Sequence, residues 1–193
     1  ALGIVPEVFE TDIYSIVEGV THSPCHVCAA MRRGYLYKEA QKRGCNKIAL
    51  GHHRDDVAET ILLSILYGGQ FKTMMPRLKS ENYQGMELVR PLYLVREKAI
   101  LNWLASTDIA TTTCACRVTR NPDGGKRARV KRLLSELEGE QANIIDNIIA
   151  SSENVNLSTL ISYKAHEKAE ATSFMAQFAP EGEAGMMEVD SLF

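Results

Sequence analysis

Cysteines are the residues of this sequence with the greatest capacity for chemistry. Five occur among 193 residues, as a C-x-x-C pair (Cys25 and Cys28), a lone Cys45 and a C-x-C pair (Cys114 and Cys116). Two thiolates near a helix start can converge on one centre, where exposed N–H groups favour their charge. A four-thiolate zinc site, a thiol–disulfide pair and an iron–sulfur cluster all fit, and spacing alone favours zinc slightly. Cys45, beside a predicted strand, is expected to be buried and unreactive.

A second polar cluster is the run GHHRDD, from Gly51 to Asp56. It follows a predicted strand and opens a predicted helix, and open α/β sheets bind ligands at this edge, where helix N–H groups attract phosphate. The carboxylates could serve only as caps, since Asp56 and Glu59 fit a capping box. Two histidines, one arginine and two aspartates exceed what capping requires. We therefore interpret the run as a functional loop.

The third feature is a basic segment in a chain whose formal net charge is only −2. Residues 117–132 contain seven Lys or Arg residues against the single acid Asp123, whereas the chain after Tyr163 is acidic. Such a run is compatible with a solvated helix face and with binding to nucleic-acid phosphates, and the segment alone does not separate the two.

The elements that must position these residues alternate between helix and strand. Helical spacing of apolar residues and short loops predict a parallel α/β sheet with crossover helices, followed by two or three helical patterns between Lys126 and about Lys168. The elements predicted before that extension are a strand at Val5–Phe9, a helix over 29–44, a strand over 46–51, a helix from the GHHRDD run to Gly68 and Gly69, a strand over 86–92 and a helix over 96–107.

Composition places the chain among ordinary globular proteins. It is 45% hydrophobic and 24% charged, and no stretch approaches the roughly 18 apolar residues of a membrane span. The first ten residues lack the basic segment of a secretory signal, so we expect a cytoplasmic protein without a membrane partner.

The run from Pro24 to Gly69 resembles the TtcA-type tRNA 2-thiocytidine synthetases, of the PP-loop ATP pyrophosphatase group. In that family a C-x-x-C precedes a helix containing RRG, then a strand, a GHHxDD loop and a helix ending in YGG, all of which this sequence contains. The segments VRPL and VREK, a later cysteine pair with a basic helix, and Asn154-Val155 also match, so that the resemblance covers about residues 2–161.

The resemblance implies a transferase in which ATP activates the carbonyl of a cytidine in the tRNA anticodon loop and sulfur then replaces the oxygen. It also implies a [4Fe-4S] cluster held by Cys25, Cys28 and Cys114, with Cys116 as the alternative third ligand because the family commonly has C-x-x-C there. ATP and Mg²⁺ are the implied small cofactors. A sulfur donor (a cysteine desulfurase or sulfide), tRNA and a second copy of the chain are the expected partners.

The implied site residues follow by position in the matched motifs. Asp55 is expected to be catalytic and free to face the nucleotide, while Asp56 caps the helix. Nucleotide binding is expected at Gly51, His52 and His53. Contact with RNA is expected at Arg32, Arg33, Arg117, Lys126, Arg127 and Arg129.

The implied fold is part of a Rossmann-like α/β sheet of the adenine nucleotide alpha hydrolase type with a C-terminal helical extension. We expect the PP-loop part over 1–113, a basic tRNA-binding extension over 114–168 and a flexible tail over 169–193. The Ser-Gly-Gly-x-Asp-Ser loop of the family is absent from this sequence. The expectation is therefore a chain that lacks its N-terminal portion and is inactive alone. The alternatives are thiolation of another tRNA base by a related PP-loop enzyme, and a non-catalytic iron–sulfur or zinc RNA-binding module.

Overall fold

The computed structural model describes residues 3–20, 24–111, 125–166 and 169–178, with the backbone alone for residues 24, 25 and 177. The described residues fall into two compact units, which are divided between residues 149 and 150. No helix in the described ranges combines the length and the apolar character that crossing a membrane demands.

The first unit contains most of the elements, in the order α1 (Ile13–Glu18), α2 (Pro24–Lys42), β1 (Lys47–Ala49), α3 (Arg54–Gly68), β2 (Arg77–Lys79), β3 (Glu87–Val89), α4 (Glu97–Ala105), α5 (Gly125–Glu140) and α6 (Ile144–Ala150). β1 and β3 run parallel, with Ile48 opposite Leu88, and β2 pairs antiparallel on the other side of β3. The predicted parallel α/β arrangement is confirmed, whereas the edge strand β2 was not predicted.

Two hydrophobic clusters hold this unit together. One joins α3, α5 and α6 through the fully buried Val57, Ile61 and Val130, together with Ile145 and Ile149 on α6. The other places Tyr37 of α2 against Ile48 of β1 and Met86, and the Tyr37 ring stacks on Tyr83 at 4.6 Å. α5 therefore shares a core with α3, and the predicted division between a PP-loop part and a tRNA-binding extension after residue 113 stays a prediction.

The second unit contains a 3-10 helix (Leu157–Thr159), an antiparallel pair of strands, β4 (Ser162–Lys164) and β5 (Ala171–Ser173), and a 3-10 helix at Phe174–Gln177. The last of the helical patterns predicted between Lys126 and about Lys168 covers residues 155–163, and that prediction is therefore wrong. Asn156 accepts a hydrogen bond from the Ser158 N–H at 3.1 Å, and such local side-chain bonds compete with an α-helix.

The strand predicted at Val5–Phe9 is also wrong. Residues 3–11 have no regular structure, and Val5 and Val8 are 91% and 83% exposed. A strand needs a partner for its N–H and C=O groups, and no strand within the described ranges pairs with this segment.

α4 is unusual because none of its residues is buried. Its Leu101 is 56% exposed, and Trp103, the single tryptophan of the sequence, is 50% exposed.

Candidate functional site

The GHHRDD loop lies at the edge of the sheet where the parallel strands β1 and β3 end. The N–H of Leu50 donates to the Val89 carbonyl at 2.9 Å, and the N–H of Arg54 donates to the Val95 carbonyl at 2.8 Å. These bonds hold the loop alongside the chain that follows β3. The predicted location, at the carboxyl ends of parallel strands and the start of a helix, is confirmed.

His52 faces Arg90, the first residue after β3. The Arg90 Nε–H donates to His52 Nδ1 at 3.4 Å, and the Arg90 guanidinium also donates to the Met75 carbonyl. Burial, followed by the Arg90 charge, lowers the pKa of His52 below its ordinary value, so His52 is a neutral imidazole at pH 7. Sequence reasoning did not name Arg90 as a site residue. Its position directly after a strand and before Pro91 was the available signal.

His53 is the N-cap of α3. Its N–H donates to Asp56 Oδ2 at 3.0 Å, and the Asp56 N–H donates to His53 Nδ1 at 3.4 Å. This reciprocal capping box corrects the prediction that Asp56 is the cap and Glu59 its partner. The helix begins at Arg54, so Asp56 takes the third helical position and Glu59 lies beyond the first turn.

Asp55 is engaged on both oxygens. The Glu97 N–H donates to Oδ2 at 2.7 Å, and the Arg96 guanidinium approaches Oδ1 at 3.1 Å. Burial raises the pKa of Asp55, but the bonds from Glu97 and Arg96 outweigh it and leave the pKa below its ordinary value. The expectation that Asp55 is free to face a nucleotide is therefore wrong, because this carboxylate fastens the start of α3 to the start of α4.

Acidic side chains of α3 and α4 extend this network to α5. Arg127 bonds Glu59 at 2.6 Å and Asp56 at 3.0 Å, and Lys131 bonds Glu97 at 2.6 Å. Arg96 completes it by bonding Glu138 at 2.6 Å. Sequence reasoning missed Arg96, Glu97 and Glu138, because nothing in local spacing indicates pairs so distant along the chain.

The residues expected to contact RNA differ in their surroundings. Arg32 and Arg33 on α2, and Lys126 and Arg129 on α5, are exposed. Arg127 is paired with two carboxylates, so its charge is already neutralised within the fold. Arg117 lies outside the described residues.

The structure describes three of the five cysteines, and one of these, Cys25, only by its backbone. α2 begins at Pro24, so Cys25 and Cys28 lie in its first turns, as predicted, and Cys28 is half-buried. Cys114 and Cys116 lie outside the described residues. Cys45 is exposed, immediately after the Gly44 turn that ends α2, so the prediction that it is buried is wrong. In the described ranges no three His, Cys, Asp or Glu side chains converge as metal ligands would.

Comparison with known proteins tests the resemblance. Residues 24–114 match a family model described as a PP-loop domain. A tRNA-cytidine(32) 2-sulfurtransferase from Alcanivorax borkumensis is 38% identical over 82% of this chain and 56% of its own length. One from Coxiella burnetii is 37% identical over 82% of this chain and 62% of its own length. The resemblance to the TtcA-type family is confirmed. A further TtcA-type relative, from Anaeromyxobacter dehalogenans, is 38% identical over 89% of this chain and 60% of its own length.

This chain thus spans 56% to 62% of the length of these TtcA-type relatives. Among solved structures, the U34-tRNA thiolase NcsA from Methanococcus maripaludis with its [4Fe-4S] cluster superposes with a TM-score of 0.52. That likeness covers 70% of this chain and 45% of the thiolase at 22% identity. It supports the α/β fold.

Proposed function

We propose that this chain is the part of a tRNA sulfurtransferase that carries the cluster ligands and one wall of the ATP site, and that the whole enzyme forms 2-thiocytidine in the tRNA anticodon loop. One observation carries the proposal: identity of 36% to 38% to proteins named tRNA-cytidine(32) 2-sulfurtransferase extends over at least 80% of the chain.

The loop after β1 supports a nucleotide site. Gly51 is exposed, and a Cβ added there would meet no atom within 4 Å, so the space beside the loop is open. The N-terminus of α3 adjoins it. The Arg54 and Asp56 N–H groups are already bonded to the Val95 carbonyl and to His53 Nδ1, so a phosphate there would be attracted by the positive end of the helix dipole. Gly51, His52 and His53 would border ATP here, with His52 as a neutral hydrogen-bonding group. A role for Mg²⁺ stays a prediction.

The start of α2 supports a thiolate site. Cys25 and Cys28 are three residues apart in the first turns of the helix, so both Cα atoms lie on the same side of it. The helix dipole favours thiolates at this end. Together with Cys114, or Cys116 in its place, they would hold a [4Fe-4S] cluster, which when bound would present sulfur to the activated base.

We propose that turnover needs Asp55 because it positions the GHHRDD loop. Its bonds to Arg96 and to the Glu97 N–H hold the loop at the sheet edge, so that a shift of Asp55 moves His52 and His53 with it. tRNA, a sulfur donor and a second copy of the chain are the proposed partners.

Cluster binding is tested by anaerobic purification followed by iron, acid-labile sulfide and zinc analysis. Cys25→Ser and Cys28→Ser should lose iron and sulfide, whereas the matched control Cys45→Ser should keep both. Stoichiometric zinc without sulfide, or loss of the cluster in Cys45→Ser, would contradict the proposed ligands.

Activity is tested on the complete translation product of the gene that encodes this chain. Nucleosides of tRNA incubated with ATP and sulfide are digested and separated by mass spectrometry. 2-Thiocytidine is the expected product. A thiolated uridine would favour a related PP-loop enzyme, and tight tRNA binding without any thiolation would favour the non-catalytic module.

A further inference from the structure

The basic helix α5 has two sides with different surroundings. On one side Arg127 and Lys131 pair with Glu59, Asp56 and Glu97. On the other side Lys126, Arg129 and Arg132 are exposed, and none of them makes an ion pair with a described residue. The spacing explains the division. Residues 127, 131 and 138 are four and seven apart and fall on one stripe, whereas 126, 129, 132 and 133 follow one another at three or four residues from 126 or 129 and fall on the opposite stripe.

The unpaired side of α5 borders an open groove of about 930 Å³. The C-terminal turns of α3 form its other wall with Leu66 and Tyr67, which are 53% and 40% exposed. Leu133 continues the apolar floor, and Glu136 is the one acidic side chain among the described residues that line the groove. An exposed aromatic ring among three cations that form no ion pair with a described residue is typical of sites for single-stranded nucleic acids, since bases stack on the ring and phosphates pair with the cations.

We propose that this groove binds a single-stranded segment of RNA, with a base against Tyr67 and the backbone phosphates along Lys126, Arg129 and Arg132. This inference rests on the proposed function in taking tRNA as the natural ligand. It adds Tyr67 and Arg132 to the contacts, and it removes Arg127, whose charge is already paired.

Lys126 is placed to exchange partners when RNA binds. Its Nζ lies 4.9 Å from the centre of the Tyr67 ring, where a cation is attracted by the ring face. A stacking base takes that place, and the released ammonium pairs with the adjoining phosphate. Lys126 therefore has a favourable partner in both states, the Tyr67 ring in the free protein and a phosphate in the RNA complex.

The test is fluorescence anisotropy with two labelled RNAs, an anticodon stem-loop and a blunt duplex of equal length, titrated with the whole protein. Tyr67→Leu should weaken stem-loop binding about tenfold and duplex binding much less, whereas Tyr67→Phe should bind as the wild type does. Arg129→Gln combined with Arg132→Gln should flatten the slope of log affinity against log salt by about 1.4, the contribution of roughly two phosphates. Lys98→Gln removes one positive charge from an exposed lysine of α4 away from the groove, and this control should change neither quantity.

Thermal melts of every variant establish that it is folded. Unchanged stem-loop affinity in folded Tyr67→Leu, or a salt slope that Arg129→Gln and Arg132→Gln leave unaltered, would overturn the groove as an RNA site. The measurement needs neither ATP nor sulfur, so it is separate from the thiolation assay. If the protein binds RNA through Tyr67 but forms no 2-thiocytidine, this inference stands and the proposed function fails. If it forms 2-thiocytidine but does not bind RNA through Tyr67, the proposed function stands and this inference fails.

Discussion

Replacing Arg127 by Met should destabilise the first unit, because it leaves Glu59 as a buried charge. The Glu59 side chain is 5% exposed, and Arg127 is the cation bonded to it in the described part of the chain, at 2.6 Å. A methionine keeps most of the aliphatic stem of arginine, so the change removes the charge and its hydrogen bonds with little loss of packing.

The expected cost follows from the exposure of the two partners. Removing one partner of a fully buried ion pair typically costs about 3–5 kcal/mol. Here the Arg127 side chain is 51% exposed, so water already screens the pair and can partly hydrate Glu59 when the arginine is gone. We therefore expect a loss of about 2 kcal/mol in the free energy of unfolding, or roughly 4–8 °C in the thermal midpoint of a chain of this size.

The assay is urea unfolding followed by circular dichroism, with Arg129→Met as the matched control. Arg129 is two residues along the same helix, is exposed and has no ion-pair partner among the described residues, so its replacement should cost less than about 0.5 kcal/mol. Glu59→Gln and the double variant complete a cycle, in which the coupling between the two positions should reach about 1 kcal/mol. Equal stability of Arg127→Met and Arg129→Met, or a coupling near zero, would refute the reasoning.

Three further predictions concern the loop and its helix. Asp55→Asn should lower the free energy of unfolding by about 1–2 kcal/mol, because it weakens the bonds to Arg96 and the start of α4; an unchanged melt with lost turnover would show instead that Asp55 acts chemically. The pKa of His52 is lowered in the fold, so its contribution to stability is complete above its ordinary value of 6.5 and is lost as pH falls through the lowered pKa. Unfolding of the wild type and His52→Gln measured between pH 8 and 5 should therefore converge at the acid end, and parallel curves would contradict this. Gly69→Ala should cost about 1 kcal/mol in urea unfolding, because the residue that ends α3 has a φ of +59°; a neutral result would mean that the turn relaxes into another conformation.

The strongly patterned part of the fold could be predicted from the sequence. α2, α3 and α4 follow from helical spacing, with glycine stops at the ends of α2 and α3, and β1 and β3 follow from short apolar runs. β2 was not predicted because its three residues, RLK, are all exposed and show no alternation of apolar and polar side chains. The reverse error occurred at Val5–Phe9, where an apolar run looks like a strand but has no partner in the described ranges.

The location of the candidate site was predicted from the sequence, but the hydrogen bonds and ion pairs within it were predicted wrongly. Residue types alone identified the GHHRDD run, but they could not say which carboxylate takes which partner. Asp55 bonds Arg96, 41 residues away, and Glu59 bonds Arg127, 68 residues away, and these pairings depend on how α4 and α5 pack. The same packing divides the basic helix into a paired and an unpaired side, a distinction that counting charges along the sequence does not reveal.

The exposure of Trp103 has a spectroscopic consequence. As the only tryptophan, half exposed on a helix with no buried residue, it should emit near the wavelength of a water-exposed indole even when the protein is folded. The Trp103 emission therefore reports unfolding poorly, but it responds strongly when another molecule covers α4. A blue shift of the Trp103 emission, with reduced quenching by iodide, would record the moment at which the apolar residues of α4 leave water on contact with another surface.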